Sequence, residues 1–229
     1  MGTDIHLYVE MFDGEKWAEI PPPYETGYGY RSWLPDCDSH DFDDPRPNPI
    51  ERNYNLFALL ANVRNGRGFA GIKTGEPVTP LFAERDFPPA GMSYTEAVYD
   101  DDGELVSGAY LGEHSFTWAT LDELLAVNWA TIFHRTGVVD LVNFRLWQNT
   151  GAPKEWSGKI SGPGIRTYPA NVYALIEKEG IATDEDYAQV DWVYTPLIGC
   201  GFERWCKEVL SPLADGHPEN VRVLIGFDS

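Results

Sequence analysis

Hydrophobic and polar residues alternate at both ends of the chain. In DIHLYVE, Ile5, Leu7 and Val9 fall on one side of an extended backbone, and Asp4, His6, Tyr8 and Glu10 fall on the other. The closing VRVLIGFDS repeats the pattern, with Val221, Val223, Ile225 and Phe227 on one side and Arg222, Leu224, Gly226 and Asp228 on the other. A strand is predicted at each end of the sequence. FDGEKW holds the Asp-Gly pair of a hairpin turn, so Trp17 to Ile20 is expected to return as a second strand.

Helical spacing takes over between these ends. In RNYNLFALLANVRNGRGFAG, Leu56, Leu59, Leu60 and Val63 share a face, Asn53 or Asn55 can cap the start, and Gly66 is the expected stop. Thr120 and Glu123 form a capping-box pattern ahead of Leu121, Leu124 and Leu125, which puts His114 and Ser115 just upstream of a helix. Helices are also expected over GVVDLVNFRLWQNTG, where Leu141, Phe144 and Trp147 line up, over YPANVYALIEKEG, and over GFERWCKEVLSPLA. TDEDYAQVDWVY reads as a turn followed by a strand. From Lys73 to Gly112 the pattern is loop-like, with a small hairpin at Asp102-Gly103. Repeated Pro and Gly predict a long irregular loop insertion at about 21–50, which Tyr24, Tyr28, Tyr30 and Trp33 mark as a partly ordered flap. The expected fold is α+β: a mainly antiparallel sheet that includes the N- and C-terminal strands, four to five packed helices and long loops, in a single domain over 1–229.

Composition supports a folded chain. Of 229 residues 43% are hydrophobic and 14% aromatic, with eight Trp, enough for a sizeable core. Thirty-six Asp+Glu against seventeen Lys+Arg give a formal charge of −19, which argues against nucleic-acid backbones and anionic membranes as direct partners. The same surface could imitate DNA towards a DNA-binding protein. Cys37, Cys200 and Cys206 are three cysteines without CxxC spacing, which points away from a disulfide framework or structural zinc and towards a reducing cytoplasm. MGTDIHLYVE has no basic region followed by an apolar run, and no stretch reaches the length of a membrane span. CDSHDFDD, with Cys37 and His40, matches no metal-binding spacing, and SGKISGPGI lacks the phosphate-loop pattern.

Two sets of residues carry candidate chemistry. If the terminal strands are neighbours, Asp228 approaches Asp4 and His6, and His114 completes a set of catalytic candidates. Such a set could work as general acid and base, or Asp4 and His6 could help hold a divalent metal, the one cofactor the pattern admits. The second set surrounds the first helix. Arg52, Arg64 and Arg67 concentrate scarce cations, which would meet phosphates, while Asn53, Asn65 and Ser115 would fix polar edges. Tyr54 and Trp118 would stack on a base.

GTDIHLYVE, RNYNLFALLANVRN, EHSFTWATLDELL, the W-x-G-x-x-x-G pattern of WSGKISG and the closing VRVLIGFD together resemble a family of uncharacterised tailed-phage and prophage proteins. Thr3 stands where that family usually has Cys, and Ser229 where it usually has Asn. The resemblance implies the cytoplasm of a host cell and an accessory role outside the virion, such as counter-defence by sequestering a nucleotide signal. It implies no mechanism. The expected function is binding of a small anionic, nucleotide-type ligand. The alternatives are a metal-dependent phosphodiesterase acting on such a ligand, and an acidic DNA mimic or other inhibitor of a host protein. Self-association is also admitted.

Overall fold

The two alternating strands at the ends of the chain lie side by side. In the computed structural model Asp4–Phe12 (β1) runs antiparallel to Val221–Asp228, with Asp4 opposite Asp228, Tyr8 opposite Leu224 and Glu10 opposite Arg222. The structure describes residues 3–25, 31–33, 52–83, 85–101, 105–195 and 200–228. After β1 come β2 (Trp17–Glu19), β3 (Tyr24–Glu25), β4 (Arg31–Ser32), α1 (Tyr54–Ala61), β5 (Val98–Tyr99), β6 (Leu105–Ser107), β7 (His114–Thr120) and α2 (Leu121–Ala126). They are followed by β8 (Phe133–Val139), α3 (Leu141–Thr150), β9 (Arg166–Pro169), α4 (Ala170–Lys178), β10 (Asp186–Tyr194), α5 (Cys200–Trp205) and β11 (Val221–Asp228). A π-helical turn, Cys206–Leu210, continues α5 into a last helical turn, Ser211–Leu213. The fold is α+β, with mostly antiparallel sheets that include both terminal strands. Among the described residues no helix is long and apolar enough to cross a membrane.

The chain divides into two compact units: 1–63, 80–129 and 197–229 form the first, and 64–79 with 130–196 form the second. The first is built on the antiparallel sheet β2-β1-β11-β7. On one face Val9, Ala119, Val223, Ile225 and Phe227 are buried, and the Phe57 ring of α1 meets Phe227 at 5.3 Å. The other face is covered too. Tyr8 and Leu224 pack with Ala109 and Leu111, against Phe87, Met92, Tyr94, Phe116 and Trp118. Burial on both faces explains why seven consecutive residues of β11 are inaccessible. At Gly226 any Cβ would fall 1.8 Å from the Leu111 carbonyl oxygen, so only glycine admits the covering loop.

One ion pair lies inside this unit. Glu10 is fully buried, and its Oε2 accepts from Arg222 Nε at 2.6 Å. Its Oε1 accepts from Ser93 N at 2.5 Å, Ser93 Oγ at 2.6 Å and Tyr94 N at 3.2 Å. Arg222 donates from Nη1 to the Ala90 carbonyl at 3.1 Å and lies 3.9 Å over the Trp17 ring. Among the described residues its buried Nη2 has no partner.

The local signals mostly act where expected. Asn53 Oδ1 accepts from Leu56 N at 3.1 Å and starts α1. The helix ends at Asn62, in the left-handed conformation, four residues before the expected Gly66, because Asn also tolerates that backbone. Glu123 Oε2 accepts from Thr120 N and Oγ1, and Arg85 grips the same carboxylate with two bonds of 2.8 and 2.5 Å. Around 21–50 the expected irregular stretch holds a short pairing of Tyr24 with Ser32 and Glu25 with Arg31. Trp33 is buried against Trp205, ring centroids 5.5 Å apart. Tyr28, Tyr30, Cys37 and His40 lie outside the described residues, as does the Asp102-Gly103 turn between β5 and β6.

In the second unit β10 runs antiparallel to β8 and parallel to β9. Val139, Phe144, Tyr173, Ala188, Val190 and Trp192 form its core beneath α3 and α4. The helix expected from Gly137 onward is corrected: Gly137–Val139 belong to β8, and α3 starts at Leu141, since Asp140 caps it by accepting from Asn143 N at 2.8 Å. The outer edge of β8 is protected by Lys73–Glu76, through Thr136 N to Thr74 O and Glu76 N to His134 O, both 3.0 Å. A Cβ on Gly75 would sit 2.1 Å from the His134 carbonyl oxygen, so this close approach also requires glycine.

Replacing Arg222 with Met strands the Glu10 carboxylate in the core. It is expected to cost about 3–5 kcal/mol, read as a lowered urea midpoint. A second expectation concerns acid. The Arg85 hydrogen bonds hold the Glu123 carboxyl at about 2, below its ordinary 4.5. A depressed carboxylate stabilises the fold above its unfolded value, and that contribution is lost as pH falls through the folded one. Thermal midpoints of the wild type and Glu123→Gln should therefore differ at neutral pH and converge between pH 4.5 and about 2.

Candidate functional site

The register of β1 and β11 assembles the first cluster. Asp4 and His6 project from alternate positions of β1 towards Asp228, the last residue of β11. Asp228 Oδ1 accepts from the Asp4 backbone N–H at 3.2 Å, and His6 Nε2 lies 3.0 Å from Asp228 Oδ2. Arg52, just ahead of α1, donates from Nε and Nη2 to the two Asp4 oxygens at 2.5 and 2.7 Å. Tyr110 meets the His6 ring edge-on at 4.8 Å. The Arg52 hydrogen bonds hold the Asp4 carboxyl below its usual range, while burial, and then the Asp228 charge, pushes the Tyr110 phenol up.

Chemically this is an imidazole–carboxylate pair beside a guanidinium–carboxylate pair, partly exposed, with 27% of the His6 side chain and 30% of Asp228 accessible. Both Asp4 oxygens face Arg52, and His6 Nε2 faces Asp228 rather than Asp4. Among the described residues no group of three or more His, Cys, Asp or Glu is arranged to hold a metal ion. The arrangement works as a clasp that joins the first strand, the last strand and the lead into α1.

His114 stands apart from the clasp. It is paired with Phe227, on the opposite face of the sheet from Asp228, and its ring stacks on Phe227 at 6.4 Å. Its Nδ1 lies 2.9 Å from Ser115 Oγ. Both residues open β7 rather than preceding a helix, so α2 begins a full strand away, about 20 Å by strand rise. The position expected beside a helix N-terminus is thereby corrected.

The anion corner expected around α1 is also redistributed. Arg52 is taken up by Asp4, and Asn53 is the helix cap. Tyr54 meets Phe57 within α1, ring centroids 5.7 Å apart. Trp118 donates from Nε1 to the Asp86 carbonyl at 3.1 Å and carries the Arg85 guanidinium 4.7 Å above its ring. Asn65 and Arg67 belong to the second unit. There the Asn65 amide bonds Val78 in both directions, at 2.6 and 2.8 Å, and Arg67 Nη1 reaches the Gly71 carbonyl at 3.4 Å.

A second candidate lies wholly within that second unit. Helices α3 and α4 cover the side of the sheet formed by Ala188, Val190 and Trp192, and leave Gln189, Asp191 and Val193 exposed on the other. A concavity of about 500 Å³ opens there, lined among others by Lys73, Glu76, His134, Arg135, Gln189 and Asp191. It shares Lys73, Thr136 and Gln189 with a neighbour of about 250 Å³, to which Lys159 and Thr167 contribute. Burial draws the Arg135 guanidinium below its ordinary value, whereas the Lys73 bond at 2.6 Å keeps the Glu76 carboxyl low. Sequence patterns miss this groove because Lys73, Arg135, Lys159 and Gln189 come from four separate segments. The one available signal is the charge balance of those segments.

Replacing Arg52 with Ala should let the Asp4 carboxyl rise towards its ordinary 3.8, measured by side-chain NMR titration. Compared with protein-family models, with curated proteins and with solved structures, the chain matches none.

Proposed function

We propose that the protein binds a small anionic, nucleotide-type ligand in the groove on the exposed sheet face of the second unit. One observation carries this reading. The second unit has nine Lys+Arg against nine Asp+Glu, so the whole formal charge of −19 belongs to the first. A groove lined by Lys73 and Lys159 therefore lies on the one part of the chain without net charge. A concavity of about 500 Å³ is within the usual size of small-molecule sites, and its mix of Gln, His, Thr and cationic groups suits phosphate and polar edges. Arg52, committed to Asp4, is not needed. The resemblance to phage proteins gives the reading its context: sequestration of a nucleotide signal as counter-defence.

A second reading has its own support. The first unit carries twenty-seven Asp+Glu against eight Lys+Arg, a field suited to imitating DNA. It requires competition with DNA for a host protein that weakens sharply with salt.

The direct test is calorimetric titration with AMP and ADP-ribose at low salt. Saturable binding is expected, and Lys73→Ala with Lys159→Ala should weaken it tenfold or more, as loss of charge-assisted hydrogen bonds does. Arg52→Ala should leave it unchanged. If neither compound binds, the reading is overturned.

A further inference from the structure

We infer that the groove has a direction: its smaller end takes a phosphate and its larger end takes the hydroxyls of the sugar that carries it. This rests on the reading of the groove as an anion site and narrows the ligand to a sugar monophosphate unit, whether free or part of a nucleotide.

The two ends differ in chemistry. The smaller is lined by Lys73, Lys159, Thr136, Thr167 and Gln189 together with glycines and aliphatic residues, and among the described residues no carboxylate faces it. In a chain with twice as many acids as bases, that is an unusual enclosure. Two ammonium groups and two hydroxyls offer a phosphate several charged or neutral donors. Lys73 is bonded to Glu76 by one N–H, and its ammonium has two more.

The larger end carries two carboxylates, Glu76 and Asp191. A carboxylate without protons only accepts hydrogen bonds, so it selects for hydroxyl or amine donors and against a second phosphate. Gln189 and Asp191 are two residues apart on one face of β10, about 7 Å by strand rise, so a lining without carboxylates gives way to one that includes Asp191 over the length of one sugar. His134, opposite Val193 on the exposed face, completes the larger end with a ring able to meet ring oxygens or base edges. A dinucleotide with its phosphates spread along the groove would bring negative charge against Asp191.

The test is calorimetric titration of the full chain with inorganic phosphate, adenosine, ribose 5-phosphate, AMP and ADP-ribose. AMP or ribose 5-phosphate should bind at least tenfold more tightly than phosphate or adenosine, and at least tenfold more tightly than ADP-ribose. Equal affinities for the first two mean that the sugar phosphate alone is read, and preference for AMP means that the base adds contacts; both support the direction. Lys159→Ala should weaken AMP and phosphate alike. Asp191→Asn should weaken AMP, leave phosphate unchanged and tighten ADP-ribose. If ADP-ribose binds the wild type as tightly as AMP, or if Asp191→Asn tightens AMP, the direction is overturned while the anion site stands. If no phosphate-bearing compound binds, the anion site falls with it. Far-UV circular dichroism of both variants identifies any loss due to misfolding.

Discussion

The buried pair of Glu10 and Arg222 is the constraint on which the first unit turns. A charge removed from water is tolerated only when its remaining lone pairs and protons are met. Glu10 meets this requirement in full with Ser93 and Tyr94, whereas among the described residues Arg222 meets it with the Ala90 carbonyl and the face of Trp17 at all but its buried Nη2. The first and last strands are thereby held in one register, and the loop through residues 90–94 must lie across them. Once it does, the sheet face that carries Tyr8 and Leu224 is closed, β11 becomes inaccessible on both sides, and Gly226 becomes obligatory under the Leu111 carbonyl. The clasp of Asp4, His6, Asp228 and Arg52 secures the far end of the same strand pair with groups that stay partly in water.

Charge is divided as unevenly as burial. The first unit holds the entire formal excess, and five of its cations, Arg52, Arg85, Arg204, Lys207 and Arg222, are in ion pairs with carboxylates. Its own repulsion thus consumes cations for cohesion. The second unit is balanced, and pairs such as Arg145 with Glu177 and Arg166 with Asp186 coexist with Lys159 in the groove. An anionic ligand meets far less opposition there than on the other unit, and this is why the proposed site differs from the arginine corner that the sequence suggests.

That corner shows what a sequence can mislead about. Arg52, Arg64 and Arg67 lie within sixteen positions of one another, and proximity along the chain suggests one function. In the structure Arg52 closes a strand end in one unit, whereas Arg67 bonds a carbonyl in the other. Similarly, His114 and Ser115 precede a capping box, yet they open β7, and its remaining five residues separate them from α2. The Glu10–Arg222 pair was invisible for the opposite reason, since 212 positions separate its members and each looked like an ordinary outward residue of an alternating strand.

What the sequence by itself determined is local. The alternation of both terminal strands, the Asn53 cap, the Thr120–Glu123 capping box and the turn at Asp13-Gly14 all act within a few residues, where backbone geometry and side-chain reach suffice. Tertiary structure decided whatever depends on which face of a strand is covered and by what. It buried Tyr8 and Glu10 on the polar side of DIHLYVE, spent that side's carboxylates on Arg52 and Arg222, and left the exposed side of β10 beside lysines from distant loops. Burial and ion pairing are settled by the approach of segments far apart in the chain, and a periodicity of two residues carries no record of that approach.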